Sequence, residues 1–456
     1  MAKNPTQVLF SSKWGFFFAA IGSAIGLGNI WRFPFIAGEN GGGAFILLYL
    51  IFIVSFGIPA VIAMIVIGRR GRQSPVGSTK LLALADGHSA KWEFLGWITL
   101  AVAYLALTFF SVVAGWVLVY LFKSASGLFA GISPAESIQI FAEVKADVGG
   151  MMFWHGVFLL VTIFIVSRGV QAGIEKTVKF MMPALFVILL ILVGYAAATA
   201  EFAQAARFMF SPDFSKIDKN VMLLALSQAF FSLSVGGGSI IAYGAHLTKT
   251  ASIPRMGLMI ASANVSVDLL AGLAIFPIVF AYGLKTTAGP GLIFETLPIA
   301  FGQMPGGRFF GTLFFILVFF AALSTSISML NSVVSRLIEL KGSRTKMTLL
   351  AGGLAWIIGL ASVFSFNIWS DFKPLSFIPR LREATIFRII DFFTVNVLVM
   401  VSAFLIFIFV GWIMSEQSTQ DELAIGNGFV YRAWRFVMRY LAPIAIAIIF
   451  VIGFVN

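Results

Sequence analysis

Apolar residues run along the chain in stretches of roughly 20, the length a helix needs to cross a hydrocarbon core about 30 Å thick, and polar residues gather in the gaps between them. The stretches fall at 14–36, 43–68, 94–122, 152–167, 177–198, 220–245, 256–283, 309–338, 347–365, 386–413 and 433–455. The pattern predicts an all-α integral membrane protein of about 11 transmembrane helices forming a single domain over 1–456.

Two stretches are interrupted. Gly22, Gly26 and Gly28 break the first, and Gly236, Gly237 and Gly238 break the sixth, at corresponding places five spans apart. Each glycine weakens a helix by about 1 kcal/mol relative to alanine. Paired interruptions predict a 5+5 inverted repeat with broken first and sixth helices. Its halves would be 14–198 (spans 1–5) and 220–413 (spans 6–10), with 433–455 as an extra span 11. Unwound backbone at membrane depth is tolerated only where it is buried in protein or lines a cavity, where carbonyls can face a cation and a helix N-terminus an anion. Close glycine packing between helices is the simpler reading of such a run, but Asn29 and Arg32, directly after the glycines, weigh against it. Asp268 stands mid-way along the seventh stretch. A carboxylate costs roughly 2.5 to 3.5 kcal/mol there and calls for a partner or a proton.

Composition removes other classes. Hydrophobic residues make up 59% and charged residues 11%, against about 45–50% and 25% in soluble domains. The formal charge of +12 suggests a nucleic-acid binder until its Lys and Arg residues are placed, for they lie in short loops and form no basic domain. Arg69, Arg70, Arg72, Arg168, Arg336, Lys341, Arg344 and Arg432 fall on the side that the positive-inside rule makes cytoplasmic, with the N-terminus. Lys3 and Lys13 ahead of an apolar stretch mimic a signal peptide, yet the Gly-rich continuation to Pro34 has no cleavage region, so the segment is expected to be retained. With no cysteine, three histidines and no paired carboxylates or nucleophile triad at membrane depth, neither metal chemistry nor an enzyme is expected.

The stretch from Gly22 to Asn29, followed by Trp31, Arg32, Phe33, Pro34, Glu39, Asn40, Gly41, Gly42 and Gly43, closely resembles the signature of the neurotransmitter:sodium symporter family. Gln228 through Gly236 in span 6, Asn264 and Asp268 in span 7, and Ala321, Ser324 and Thr325 in span 8 extend the resemblance over essentially the whole chain. The eleven-span form is similar to bacterial sodium-dependent amino-acid transporters with the leucine-transporter type of fold. The resemblance implies sodium-coupled import of an amino acid or related organic solute by alternating access, in the inner membrane of the cell. Spans 1, 2, 6 and 7 would rock against spans 3, 4, 8 and 9. The partners implied are a small-molecule substrate and membrane lipid, with no nucleic acid.

The resemblance also implies site residues. One Na+ would lie among the Ala24 carbonyl, Asn29, Ser232 and Asn264, and a second among the Gly22 and Ile25 carbonyls, Ala321, Ser324 and Thr325. Substrate would contact Ala24, Gly26, Leu27, Gly28, Ala106, Phe110, Phe231, Ser232, Ser234, Gly237, Thr325 and Met329. Asp268 would stand in for chloride, giving chloride-independent transport, and a proton carried back by it would add antiport. Arg32, Gln228 and Asp391 would form the outer gate, a rim pair worth about 0 to 1 kcal/mol. Gly173 and Pro183 reproduce a Gly-X9-Pro spacing associated with unwinding of span 5.

Five positions depart from the family pattern. Phe110 replaces a tyrosine whose hydroxyl would meet the substrate carboxylate, and Met64 replaces a glutamate that would bond the unwound span 6. Gln7 replaces an arginine that would pair with an acid at the position of Glu339, which weakens the expected inner gate. Gly237 and Ala106 enlarge the pocket, and Met329 keeps one wall adaptable, so a bulky hydrophobic or aromatic substrate is expected. These departures leave one rival, a substrate-binding membrane sensor that has lost transport. A channel would need a continuous polar pore, and the polar groups here cluster at one depth.

Overall fold

The computed structural model describes residues 8–198, 201–283, 291–340 and 342–455. Gln7, Lys3 and Lys341 lie outside them. Among the described residues the chain is helical throughout, with no strand. Nine helices among the described residues are long and apolar enough to cross a membrane: Gly43–Gly71, Ala90–Ser126, Val148–Ser167, Val170–Ala197, Ile253–Ala281, Gly307–Glu339, Arg344–Phe364, Ile386–Ile413 and Phe429–Ile452. A tenth is the first span, Lys13–Ala24 and Gly28–Glu39, bent by 56° at its break. The sixth stretch is divided into Lys219–Ser232 and Ser239–Gly244, each too short to span alone.

The two breaks differ in how they use glycine. In span 6, Gly236 (φ +94°) and Gly238 (φ +71°) are left-handed, where a side chain is strained. The glycines of span 1 serve close approach instead. A Cβ at Gly22 would stand 3.0 Å from Ser324 Cβ, one at Gly26 2.9 Å from Thr325 Oγ1, and one at Gly28 2.5 Å from Phe231 Cε1. The first break is therefore pressed against span 8 on one side and against span 6 on the other.

Packing divides the spans. Span 2 lies against both halves of span 6 and against span 7, while spans 3, 4, 8 and 9 pack on one another, span 3 along much of span 8. The first half of span 1, Lys13–Ala24, reaches across to spans 5 and 8. Short helices that hydropathy does not predict join these elements, among them Pro75–Ala85, Pro134–Ala146, Leu297–Gln303 and Glu416–Leu423. Ordinary start signals begin three of them. Ser74, Ser133 and Ser415 accept from the amides of Gly77, Glu136 and Ser418, and Pro75 and Pro134 sit in the first turn. The fifth span opens with a π-helical turn, Val170–Glu175, around Gly173, and Pro183 lies within the helix that follows. Local distortions of this kind cluster at functional positions.

Candidate functional site

A cavity of about 470 Å³ opens between the two breaks. Ala24, Gly26, Leu27 and Gly28 of span 1 line one side, and Phe231, Ser234 and Gly237 of span 6 another. Ala106 and Phe110 of span 3 and Thr325 and Met329 of span 8 close it. Val102, Ala103 and Val113 add to an apolar wall, while Ser239 and Ser328 add hydroxyls. Arg32 and Asp391 line the same cavity. Of the residues expected to contact substrate, Ser232 alone is off the wall. It is buried, with its Oγ 3.0 Å from the Tyr49 hydroxyl.

That hydroxyl belongs to a network that also holds Asn29, Asn264 and Asp268, all fully or almost fully buried. Asn29 turns its Oδ1 to the Gly26 amide (2.9 Å) and its Nδ2 to Asn264 Oδ1 (3.0 Å) and Asp268 Oδ1 (2.8 Å). Tyr49 donates to Asp268, and Asn264 Nδ2 lies 3.2 Å from the same carboxylate. Donors from spans 1, 2 and 7 thus converge on one carboxylate, which satisfies the partner requirement that its depth imposes. The oxygens of Asn29 and Asn264 and the hydroxyl of Ser232 lie around this cluster, a neutral oxygen set suited to a hard cation. Tyr49 escaped notice in the sequence. Its only signal was a lone phenol in the apolar run 43–52, and a period-based reading counts tyrosine as core.

The second group of expected ion ligands also assembles. The Thr325 hydroxyl stands 3.4 Å from the Gly22 carbonyl, 3.2 Å from the Ile25 carbonyl and 3.0 Å from the Ala321 carbonyl. The Ser324 hydroxyl is 3.0 Å from the Ala321 carbonyl. Five oxygens from spans 1 and 8 therefore gather where the first helix stops at Ala24 and its last carbonyls lose their intrahelical partners.

The gates depart from expectation. Arg32 and Asp391 make no ion pair within 4.0 Å, although both face the cavity. Arg32 donates instead to Gln228 Oε1 (3.0 Å), with its guanidinium 4.3 Å from the centre of the Phe231 ring. Gln228 and the ring meet the guanidinium where the Asp391 carboxylate does not. At the face that holds the N-terminal segment, Glu339 bonds the Ser74 amide and hydroxyl and accepts from Arg336 (3.1 Å), so its capacity is taken without an N-terminal arginine. Other contacts hold the N-terminal segment to the same face. Phe10 is buried beside Phe16, Tyr243 and His246, the Val8 carbonyl meets His246 Nδ1 (2.7 Å), and Ser11 donates through its amide (2.9 Å) and hydroxyl to Glu175. Met64 is fully buried in span 2.

A helical membrane protein with a substrate-sized cavity between two broken spans has the build of a transporter. The chain matches the profile of the Sodium:neurotransmitter symporter family over residues 8–131 and 135–456, and it belongs to that family. It is similar to an uncharacterized sodium-dependent transporter of Bacillus subtilis (strain 168), 36% identical over 455 residues that cover 98% of this chain and 97% of the relative. A second such transporter, from Haemophilus influenzae, is 30% identical over 456 residues and 98% of both chains. Among solved structures, that of MhsT in complex with L-phenylalanine superposes with a TM-score of 0.88 at 37% identity, over 97% of this chain and 99% of the other. The protein is a sodium-dependent multi-pass membrane symporter and not an enzyme.

Proposed function

We propose that this symporter imports a bulky hydrophobic or aromatic L-amino acid with sodium, without chloride, across the inner membrane, its N-terminus in the cytoplasm. The observation that carries the reading is the cavity itself. At about 470 Å³ it is bounded by apolar residues of span 3 and by Met329, and Gly237 leaves open a place that a side chain would fill. A neighbour of closely similar fold was solved with L-phenylalanine, which supports the same class of substrate.

Two coupling ions fit the oxygen sets described. Ala24, Asn29, Ser232 and Asn264 would hold the first, beside the substrate carboxylate, which also meets the amides near Leu27 and Gly28. Gly22, Ile25, Ala321, Ser324 and Thr325 would hold the second and clamp span 1 to span 8, so that its release frees the inner half of span 1. Asp268 would supply the negative charge where Tyr49, Asn29 and Asn264 point their donors, a place an anion would otherwise fill. Arg32, Gln228 and Phe231 close over substrate on the outer side, with Asp391 drawn in from across the cavity. The inverted repeat, 14–198 and 220–413 with 433–455 outside it, would lend two spans from each half to each arm of the rocking motion, spans 1, 2, 6 and 7 against spans 3, 4, 8 and 9.

Equilibrium binding of L-phenylalanine to the purified protein tests this reading, in sodium chloride, sodium gluconate and potassium chloride. Binding in both sodium salts and none in potassium is expected. Binding that needs chloride would refute the role given to Asp268, and binding without sodium would refute both ion sites.

A further inference from the structure

The six residues joining the halves of span 6 carry a choice that glycine would have made simpler. Helix Lys219–Ser232 ends in a Schellman motif, with the Val235 amide bonded to the Phe230 carbonyl (3.0 Å) and the Ser234 amide to the Phe231 carbonyl (3.0 Å). That motif needs one residue in the left-handed region, usually glycine because a Cβ is strained there. This chain places Ser234 in it, at φ +51°, although glycine fills the next two left-handed positions, 236 and 238. What serine adds is a hydroxyl, and it donates to the carbonyl of Ser23 at 3.0 Å.

Ser23 is the next-to-last residue of the inner half of span 1, so its carbonyl is among the four that the helix end leaves without an intrahelical partner. Its neighbours in that break are the carbonyls read above as ion ligands. Those of Gly22 and Ile25 face Thr325 across the gap to span 8, while that of Ser23 faces span 6. One hydrogen bond thus connects the two interrupted helices at the level of the ions, and the residue that makes it also lines the substrate cavity.

We propose that Ser234 is a positioning residue that couples the two breaks. Its hydroxyl holds the Ser23 carbonyl toward span 6 and leaves the flanking carbonyls of Gly22, Ala24 and Ile25 to the ions, so sodium occupancy at span 1 is felt by the unwound segment of span 6. The inference rests on the ion sites of the preceding section. The left-handed strain at Ser234 is the part of the design that separates this role from simple packing.

The test compares Ser234→Gly and Ser234→Ala with the unaltered full-length protein in proteoliposomes. Glycine relieves the strain and keeps the motif, so Ser234→Gly should melt at the same temperature or higher. Its sodium concentration for half-maximal uptake should nonetheless rise roughly fivefold, the equivalent of about 1 kcal/mol for one lost hydrogen bond. Ser234→Ala should show the same sodium shift with a lower Tm. Unchanged sodium dependence in Ser234→Gly overturns the proposal, and so does a sodium shift accompanied by a fall in its Tm, which would mark a structural role alone. Asn29→Ala, measured in parallel, separates the two levels of the account. If it keeps normal sodium dependence, the ion sites themselves are wrong, whatever Ser234 does.

Discussion

Gly237→Leu tests the shape of the pocket directly. A Cβ at this position would meet the Ser234 carbonyl oxygen at 3.3 Å and Ser234 Cβ at 3.9 Å, with nothing else closer, and the residue lies outside the left-handed region. The Ser234 carbonyl must give by a few tenths of an ångström to admit the side chain, a cost that sets itself against the roughly 0.4–1 kcal/mol by which loss of the glycine's freedom in the unfolded chain favours folding. The added carbons enter the cavity of about 470 Å³ from span 6. An aromatic substrate that needs that space loses its contacts there, at about 0.8 kcal/mol for each CH2 equivalent displaced. Discrimination per methylene in such pockets runs about 1–3 kcal/mol, or roughly 10 to 200-fold. Competition uptake in proteoliposomes should show kcat/KM for L-phenylalanine falling at least tenfold while that for L-alanine holds or rises. A parallel fall for both, with Tm unchanged, would refute the claim that Gly237 sets the space for the substrate side chain.

Three further outcomes follow from the geometry. Asp268→Asn removes the charge and turns one of the two oxygens on which Tyr49, Asn29 and Asn264 converge into a donor, leaving at least one buried donor without its acceptor at about 1–3 kcal/mol. Uptake in gluconate should fall at least tenfold and recover when chloride is supplied, whereas no recovery would remove Asp268 from the charge balance. Gly28→Ala puts a Cβ 2.5 Å from Phe231 Cε1, an overpacking worth about 1–3 kcal/mol, which Phe231→Leu should relieve if the ring is what it strikes. His246 lies outside the spans, and burial, opposed by its bond to the Val8 carbonyl and reinforced by nearby Arg344 and Arg72, pushes its imidazole down to about 4. Because the released arm leaves this imidazole near its ordinary pKa of about 6.5, protons favour release as pH falls from there toward 4, and docking is fully present above about 6.5. Hydrogen exchange at the Phe10 and Ser11 amides should quicken over that window, and His246→Gln should abolish the dependence.

Much of this was legible because a membrane leaves so few options. Backbone groups in lipid must bond within helices, so hydropathy marks spans sharply, and each of the eleven stretches corresponds to helical segments at nearly the same residues. The paired glycines marked the breaks, but their propensity said nothing of what presses on them. Gly22, Gly26 and Gly28 are small because Ser324, Thr325 and Phe231 arrive from spans 8 and 6, a tertiary fact. Partner choice was harder still. The resemblance set Arg32 with Asp391 and Gln228, and of these the guanidinium meets the amide, together with the Phe231 ring. Glu339 was left for an arginine that the sequence lacks, while a helix N-terminus at Ser74 needed a carboxylate. The short connecting helices were missed because they are too brief and too mixed for a hydropathy window, even though the caps at Ser74, Ser133 and Ser415 were readable locally.

The central claim is that neutral oxygens at the break of span 1 couple sodium to solute movement. Proteoliposomes holding the purified protein, loaded with potassium and diluted into sodium, test it through accumulation of labelled L-phenylalanine, with Asn29→Ala and Thr325→Val beside the unaltered chain. The account predicts concentrative uptake that needs the sodium gradient, persists in gluconate and is lost or shifted to much higher sodium in both variants. Uptake that ignores the gradient, or that both variants leave untouched, would contradict it.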